Sequence, residues 1–181
     1  MKAAVAARRQ LIGAAEIERI IARLAHQILE PGGAPEGLYL IGIRRGGEAL
    51  TGRIAAQIEH IGGRKPALGF VNINLYRDDE VSRQMPESQI PDEVTGKTVV
   101  IVDDVLYTGR TVRSALDAVT DLGRPATIRL CVLVDRGLRE LPVQADYVGR
   151  FIPTARRERI VVNVGAHPTE DDEVALLADQ A

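Results

Sequence analysis

The sequence predicts an α/β fold with a mainly parallel sheet and helices on both of its faces. Short apolar runs, typical of buried strands, alternate repeatedly with stretches whose apolar residues recur every three or four positions, as on one face of a helix. The 181 residues suffice for one domain with a sizeable core, and no linker, repeat or low-complexity segment divides them. We therefore expect a single domain over residues 1–181.

The first 14 residues show no clear hydrophobic periodicity, and a helical pattern begins at Glu16. Residues 1–14 are small and basic, and we expect them to be loosely ordered. A helix is predicted from Glu16 to the Pro-Gly-Gly sequence at 31–33, which would end it. The apolar residues of this helix fall on one face: Ile17, Ile20, Ile21, Leu24 and Ile28.

Two strands, a helix and a long loop are predicted next. Residues 38–43 form a short apolar run typical of a buried strand, and residues 50–62 have helical periodicity. Apolar residues alternate with asparagines over 71–75, which predicts a strand with one polar face. Residues 77–96 are polar and have no periodicity, so we expect them to form a flexible loop at the functional site.

The second half of the chain continues the alternation. Strands are predicted over 99–102 and 127–134, with two shorter strands over 145–148 and 160–164. The helix between the first two has an apolar face made of Val112, Ala115, Leu116, Val119 and Leu122.

Composition excludes several classes of protein. The net charge is -2, so any contact with nucleic acid has to use a local basic patch. No apolar run approaches the ~20 residues of a membrane span, and the N-terminus lacks the apolar segment of a secretory signal. The single cysteine, Cys131, lies in an apolar run and is expected to be a buried, inert thiol. We expect a cytoplasmic protein.

The most informative stretch is VVIVDDVLYTGRT at residues 99–111. It places two adjacent acids, Asp103 and Asp104, at the carboxyl end of a predicted strand, where parallel sheets bind their ligands. Neighbouring strand residues point to opposite faces, so the two acids are unsuited to chelate one ion as a tight pair. They are suited to accept hydrogen bonds from ribose hydroxyls and from the water shell of Mg²⁺, which keeps several waters.

The loop that follows has the features of a phosphate site. Leu106–Thr111 supplies backbone N–H groups, two threonine hydroxyls and Arg110 just before a helix N-terminus, which favours an anion. The alternative is an ordinary acidic turn before a threonine-capped helix. The whole string occurring together favours the phosphate site, and it contains neither the P-loop nor the dinucleotide-binding glycine motif.

This string resembles the phosphoribosyl-pyrophosphate (PRPP) signature of type I phosphoribosyltransferases. Further strings narrow the resemblance to the PyrR family: LYRDD at 75–79, VLVDRGLRELP at 132–142, ADYVGR at 145–150 and IPTARRE at 152–158. Members of that family regulate pyrimidine operons and act as uracil phosphoribosyltransferases. The resemblance runs from about the first helix to about residue 164. It implies the type I phosphoribosyltransferase fold, with a small hood and a flexible loop, and the formation of UMP and diphosphate from uracil and PRPP.

The resemblance also implies roles for particular residues. Asp103 and Asp104 would hold the ribose and orient a Mg²⁺ complex, and Asp104 would be catalytic. The 5′-phosphate would be wrapped by Val105, Leu106, Tyr107, Thr108, Gly109, Arg110 and Thr111. The loop Arg44-Arg45-Gly46-Gly47 would bind the diphosphate, although its basic residues stand one place away from the usual family pattern. A plain strand-to-helix turn with solvated arginines is the alternative for this loop.

Two more sites follow from the resemblance. Arg77, on the long loop, would reach the diphosphate and act in catalysis, unless Asp78 and Asp79 merely pair with it. Uracil would lie near Val134, Asp135 and Arg136, with backbone groups supplied by Val161 and Val162. A pyrimidine needs an acceptor for its ring N–H and donors for its carbonyl oxygens.

The family resemblance implies binding of a leader RNA hairpin and self-association into dimers or larger oligomers. The candidate RNA contacts are Arg19, Arg23, His26, Arg139 and Arg150. Three family residues for RNA are replaced here, by Ala22, Leu138 and Gln144. The sequence therefore favours an enzyme that makes UMP, with gene regulation as a further role. An RNA-binding sensor of UMP or PRPP with weak catalysis is the alternative, and a transferase for purine or orotate is disfavoured by the hood string.

Overall fold

The computed structural model describes residues 7–30, 36–73, 90 and 93–178. Within these residues the elements are β1 (Ala7–Gly13), α1 (Ala14–Leu29), β2 (Leu38–Ile43), α2 (Gly47–Gly62), β3 (Ala67–Val71), β4 (Thr98–Leu106), α3 (Arg110–Asp121), β5 (Thr127–Asp135), β6 (Tyr147–Phe151), β7 (Glu158–Asn163) and β8 (Glu173–Ala178). Across the described residues, the helices are too short and too polar to traverse a bilayer.

The main sheet has five strands in the order β3-β2-β4-β5-β6, and every neighbouring pair is parallel. Strand β4 is therefore central, and its carboxyl end lies at the same edge of the sheet as those of β2 and β5. The predicted α/β class with a mainly parallel sheet is confirmed. This topology places the residues that follow β2, β4 and β5 beside one another.

Each face of the main sheet is covered by helices, as the sequence predicts. The buried faces of α1 and α2 pack on one side with Val100 and Val102. Helix α3 packs on the other side with Val99 and Ile101. Side chains of β4 thus alternate between two apolar cores, and both are closed to water, which fixes the register of the strand.

The chain termini form a second, antiparallel sheet in the order β1-β8-β7. The expectation that residues 1–14 are loosely ordered is wrong for Ala7–Gly13, which pair with β8, and for Ala14, where α1 begins. Ile12 is buried against the α1 side of the core, and Arg8 pairs with Glu173. A strand at each end of the chain stabilises the other, and neither is regular enough to be predicted alone.

Two other boundaries differ from the prediction. The third strand is Ala67–Val71, not 71–75, because its pairing with β2 ends where Val71 lies opposite Ile43. At the end of the predicted loop, Val94 is fully buried in the α3-side core, so the chain is anchored there although its neighbours in 93–96 are exposed. The predicted contact Arg77 and most of the loop 77–96 lie outside the described residues.

Cys131 lies in the middle of β5 and is fully buried, as predicted. Burial raises the pKa of its thiol to about 12, despite the opposing effect of the Arg23 charge. Because a thiol reacts as its thiolate, we expect native protein at pH 8 to resist a disulfide-exchange reagent while urea-unfolded protein releases one equivalent. Rapid labelling of the native protein, without loss of its circular dichroism signal, would contradict this assignment.

Candidate active site

The two adjacent acids lie in the last third of β4, at the carboxyl edge of the main sheet. Asp103 is 5 % exposed, whereas Asp104 is half-buried. The backbone N–H of Val105 donates to Asp104 Oδ1 at 2.7 Å, and the N–H of Asp104 donates to Asp103 Oδ1 at 3.0 Å. Both carboxylates are thus held by the backbone of their own strand.

The electrostatics of this pair favour a cationic or polyol partner. Burial, followed by repulsion from Asp104, raises the pKa of Asp103 well above its ordinary value. Burial also raises the pKa of Asp104, although its hydrogen bond from Val105 opposes the shift. A divalent cation near the pair would relieve this repulsion and stabilise both charged forms. The oxygen donors are those that Mg²⁺ prefers. Within the part of the chain that the structure describes, no cluster of three His, Cys, Asp or Glu side chains is found.

The loop after β2 lies directly against the acid pair. A β-carbon on Gly46 would stand 2.5 Å from Asp104 Oδ1, and one on Gly47 would stand 2.1 Å from the Val102 carbonyl oxygen. Only glycine permits this approach of the loop to strand β4. Arg45, which lies between Arg44 and Gly46, has a φ of 79°, an uncommon backbone conformation for a residue with a side chain.

The two arginines of this loop differ in their surroundings. Arg44 is 8 % exposed, pairs with Glu48 at 2.8 Å and stands over the Phe70 ring at 5.9 Å. Arg45 is exposed. Arg45 is therefore the one of the two whose side chain is open to a ligand approaching the glycine amides.

On the other side of β4, the loop 107–109 leads into α3. Gly109 precedes the helix with a φ of 93°, in the left-handed region that glycine adopts without strain. The Thr108 hydroxyl accepts the Arg110 N–H at 3.4 Å, and the N-cap residue itself offers no side chain, so the helix N-terminus that follows β4 can receive a phosphate. Arg110 is exposed and pairs with Glu140 at 2.9 Å.

The segment after β5 lies beside the 107–109 loop. The carboxylate of Asp135 accepts the N–H of Gly137 at 2.9 Å and pairs with Arg139. The Arg136 guanidinium lies 4.1 Å from the centre of the Tyr107 ring and donates to Thr154 Oγ1 at 2.7 Å. Both side chains are therefore engaged within the chain and do not pair with each other.

The remaining predicted base contacts come from two places in the fold, strand β5 and strand β7. Val134 is the last residue before Asp135 in β5, and Val161 and Val162 lie in β7 of the smaller sheet. Strand β7 approaches β4, and Val162 packs against the same core as β1 and α1. The smaller sheet thus contacts the main sheet at β4, and Val105 near the carboxyl end of that strand packs against the same core, as expected of a hood.

The predicted RNA contacts fall into two groups. Arg19 and His26 are exposed on the polar face of α1, as predicted. Arg23 donates to the carbonyls of Val148 and Gly149 at the open edge of β6, and Arg150 pairs with Glu16. Arg139 is 22 % exposed and turns inward. The structure therefore does not bring the five side chains together as one free basic patch.

Sequence reasoning missed the residues that hold the segment 136–143 after β5, which we call the hood segment. Thr154 and the Ala155 carbonyl both accept hydrogen bonds from Arg136, at 2.7 and 2.9 Å. They belong to the IPTARRE string, which was recognised as family-like but was given no role. Glu140, which pairs with Arg110, was missed because an acid after a strand end is common on protein surfaces.

Comparison with known families agrees with this geometry. A family model described as a phosphoribosyl transferase domain matches residues 10–169. The structure is similar to hypoxanthine phosphoribosyltransferase of Trypanosoma cruzi, with a TM-score of 0.71 and 21 % identity over 95 % of this chain and 97 % of that one. A hypoxanthine phosphoribosyltransferase of Staphylococcus aureus has a TM-score of 0.65 at 22 % identity, over 81 % of this chain and 79 % of that one. The fold and the family match define a phosphoribosyltransferase of type I.

Curated relatives narrow the class. The chain is 48 % identical to the bifunctional protein PyrR of Chloroflexus aurantiacus over 93 % of its own length and 94 % of the relative. It is 49 % identical to the bifunctional protein PyrR of Thermus thermophilus, over 90 % of its own length and 92 % of the relative. The chain belongs to the PyrR family. The predicted family and enzyme class are confirmed.

Proposed function

We propose that this chain catalyses the transfer of ribose 5-phosphate from PRPP to uracil, giving UMP and diphosphate. The observation that carries the proposal is the acid pair at the end of β4, with the glycine loop packed against it and the N-terminus of α3, which begins after Gly109, a few residues further along the chain. In a member of the PyrR family, this arrangement matches the three parts of PRPP: a diphosphate, a ribose and a 5′-phosphate.

Each part of the substrate is assigned to one loop. Asp103 and Asp104 accept hydrogen bonds from the ribose hydroxyls. The backbone amides of Gly46 and Gly47 and the Arg45 guanidinium hold the diphosphate. The 5′-phosphate contacts the residues around the helix N-terminus, which are Val105, Leu106, Tyr107, Thr108, Gly109, Arg110 and Thr111.

Catalysis then depends on position and charge. The bond from C1′ to the diphosphate breaks, uracil N1 forms a bond to C1′, and the N1 proton is released. A positive charge develops on the ribose, and the Asp104 carboxylate is assigned to stabilise that charge. The carboxylate oxygens of Asp103 and Asp104 suit Mg²⁺. When Mg²⁺ is bound, it supplies positive charge to the diphosphate. Arg77, outside the described residues, stays a predicted contact of the leaving group.

Uracil recognition is assigned mainly to backbone groups. The side chains of Asp135 and Arg136 are engaged within the chain, so the pyrimidine edge contacts the main chain near Val134–Gly137. Val161 and Val162 of β7 complete the pocket from the hood. Backbone amides and carbonyls supply the donors and the acceptor that the base requires.

The decisive test is turnover of radiolabelled uracil with PRPP and Mg²⁺. Xanthine, hypoxanthine and orotate serve as alternative bases in the same assay. UMP formation without products from the other three bases is the expected result. Binding of PRPP without any UMP would contradict the enzymatic proposal and would favour a sensor that has kept the fold.

The two glycines of the diphosphate loop give a second prediction. In Gly46→Ala, the new methyl displaces the Asp104 carboxylate from its hydrogen bond with the Val105 N–H, so we expect a small loss of stability and the loss of most turnover. In Gly47→Ala, it meets the backbone of β4, so we expect a loss of about 1–3 kcal/mol in unfolding free energy. Urea unfolding and the uracil assay measure the two effects separately.

Gly52→Ala is the matched control for these variants. Gly52 lies within α2, and a β-carbon there meets no atom within 4 Å. Alanine should therefore raise stability by about 0.5–1 kcal/mol and leave turnover unchanged. Equal behaviour of all three variants would contradict the close contact between the glycine loop and strand β4.

Binding of a pyrimidine leader RNA is the second candidate function. It is favoured by the name of the relatives, which calls them bifunctional, and by the exposed Arg19 and His26 on α1. Filter binding with and without UMP, at two salt concentrations, tests it, because phosphate contacts weaken with salt. The proposal also includes a cytoplasmic location and self-association. Analytical ultracentrifugation would reveal the homo-oligomer.

A further inference from the structure

The Arg139 side chain joins the phosphate loop to the hood segment. Its Nη1 donates to the carbonyl oxygens of Tyr107 at 2.8 Å and Gly137 at 3.1 Å, and its Nε donates to that of Val143 at 3.1 Å. Its Nη2 pairs with the Asp135 carboxylate. One guanidinium therefore satisfies groups on the loop after β4, on the turn after β5 and on the segment before β6.

The turn that Arg139 closes is conformationally demanding. Gly137 and Leu138 both have positive φ, at 75° and 60°. Two successive left-handed residues, one of them with a side chain, persist only where the surroundings hold them. The Asp135 carboxylate and the Arg139 guanidinium bracket this turn.

The backbone strengthens the same junction. The N–H groups of Glu140 and Leu141 both donate to the Thr108 carbonyl, at 3.0 and 3.1 Å, and the N–H of Arg136 donates to that of Leu106 at 3.0 Å. The carbonyls of Leu106, Tyr107 and Thr108 thus all point to the hood segment. Their engagement leaves the N–H sides of these peptides facing away from it.

We propose that Arg139 is a positioning residue for PRPP. By holding the Tyr107 carbonyl, it fixes the peptide plane that orients the phosphate loop toward the 5′-phosphate. By holding Asp135 and Gly137, it keeps the base pocket at a constant distance from that loop. The inference rests on the proposed function for the identity of the ligand, and it assigns to Arg139 no direct contact with substrate.

The two roles, positioning the phosphate loop and binding an RNA phosphate, make different demands on the side chain. A phosphate contact needs a positive charge at the surface, which lysine supplies nearly as well as arginine. The positioning role needs three divergent N–H groups in one plane, which lysine cannot reproduce. Arg139→Lys is therefore the informative variant, with Arg139→Gln beside it. Arg64→Gln is the matched control, because Arg64 is 67 % exposed and follows α2 at the opposite edge of the sheet.

The experiment measures KM for PRPP, KM for uracil, kcat and the calorimetric affinity for PRPP with Mg²⁺. We expect Arg139→Lys and Arg139→Gln to raise the KM and Kd for PRPP by about 100-fold, the effect of a misplacement near 1 Å. Uracil KM should rise less, and Arg64→Gln should match the wild type. Added methylguanidinium should restore PRPP affinity in Arg139→Gln, whereas the same concentration of tetramethylammonium should not.

Three results would overturn the inference: an unchanged PRPP affinity in both variants, full rescue by lysine, or a lower melting temperature with unchanged KM and Kd. The binding measurement keeps this test separate from that of the proposed function. If the wild type binds PRPP and makes no UMP, the proposed reaction fails, while the Kd values of the variants still decide the role of Arg139.

Discussion

Asp104→Asn is expected to retain the fold and to lose uracil turnover by a factor of about 10²–10³, the usual effect of removing one group that stabilises a developing charge. The substitution keeps the shape of the side chain and its acceptor for the Val105 N–H. It removes the negative charge that would face the developing positive charge on the ribose. Repulsion with Asp103, which contributes to the raised pKa of that residue, is removed as well, so stability should be unchanged or slightly higher.

The measurement is kcat and KM for PRPP and uracil, together with urea unfolding of the same preparation. A loss in kcat with a nearly unchanged uracil KM is the expected pattern, because the interaction is made mainly in the transition state. Asp117→Asn is the matched control, since Asp117 is exposed on α3 and should keep full activity. Wild-type turnover in Asp104→Asn would remove Asp104 from the proposed site.

The central elements of this fold could be predicted because their sequence pattern is set by local physics. A strand buried on both faces, such as β4, is a continuous apolar run, and an amphipathic helix such as α3 repeats every three to four residues. The acid pair and the glycine loops were recognisable because their residue types are rarely combined without a ligand. These features require no knowledge of distant parts of the chain.

The features that were mispredicted depend on partners far away in the sequence. Ala7–Gly13 becomes a strand only because β8 lies beside it, at the other end of the chain. Val94 is buried because it joins the apolar core to which β2, β4 and α3 contribute. Arg139 is an arginine among exposed-looking neighbours, and only the folded chain shows that its guanidinium faces inward. Its role could not be read from spacing.

A buried ion cluster is the other long-range feature, and it connects the hood to the helices. Arg53 of α2 is 5 % exposed and pairs with Asp172, which precedes β8, and with Glu18 of α1. Asp172 also accepts the Thr169 hydroxyl at 3.1 Å and the Gly165 N–H at 3.3 Å. Burial by itself raises the pKa of Asp172, but these hydrogen bonds and the Arg53 charge outweigh it and hold the pKa below its ordinary value.

Asp172→Asn is therefore expected to lower the unfolding free energy by about 3–5 kcal/mol, because it leaves a buried arginine without its only buried counter-ion among the described residues, Glu18 being partly exposed. For a chain of this size, that corresponds to a decrease of about 6–20 °C in the melting temperature. Arg53→Met should show a similar loss, since it leaves Asp172 buried and charged. Calorimetry at pH 7 measures both, with Glu36→Gln as a control at an exposed pair.

The pH dependence and a double variant test the cause of this loss. Since the folded-state pKa of Asp172 lies below the ordinary value of 3.8, its contribution is complete above that pH and is lost as the pH falls through the folded-state pKa. The difference between wild type and Asp172→Asn should therefore shrink in that range. Arg53→Met combined with Asp172→Leu should recover much of the stability, because no buried charge is left unpaired. Additive losses in the double variant would show that the two residues stabilise the fold independently.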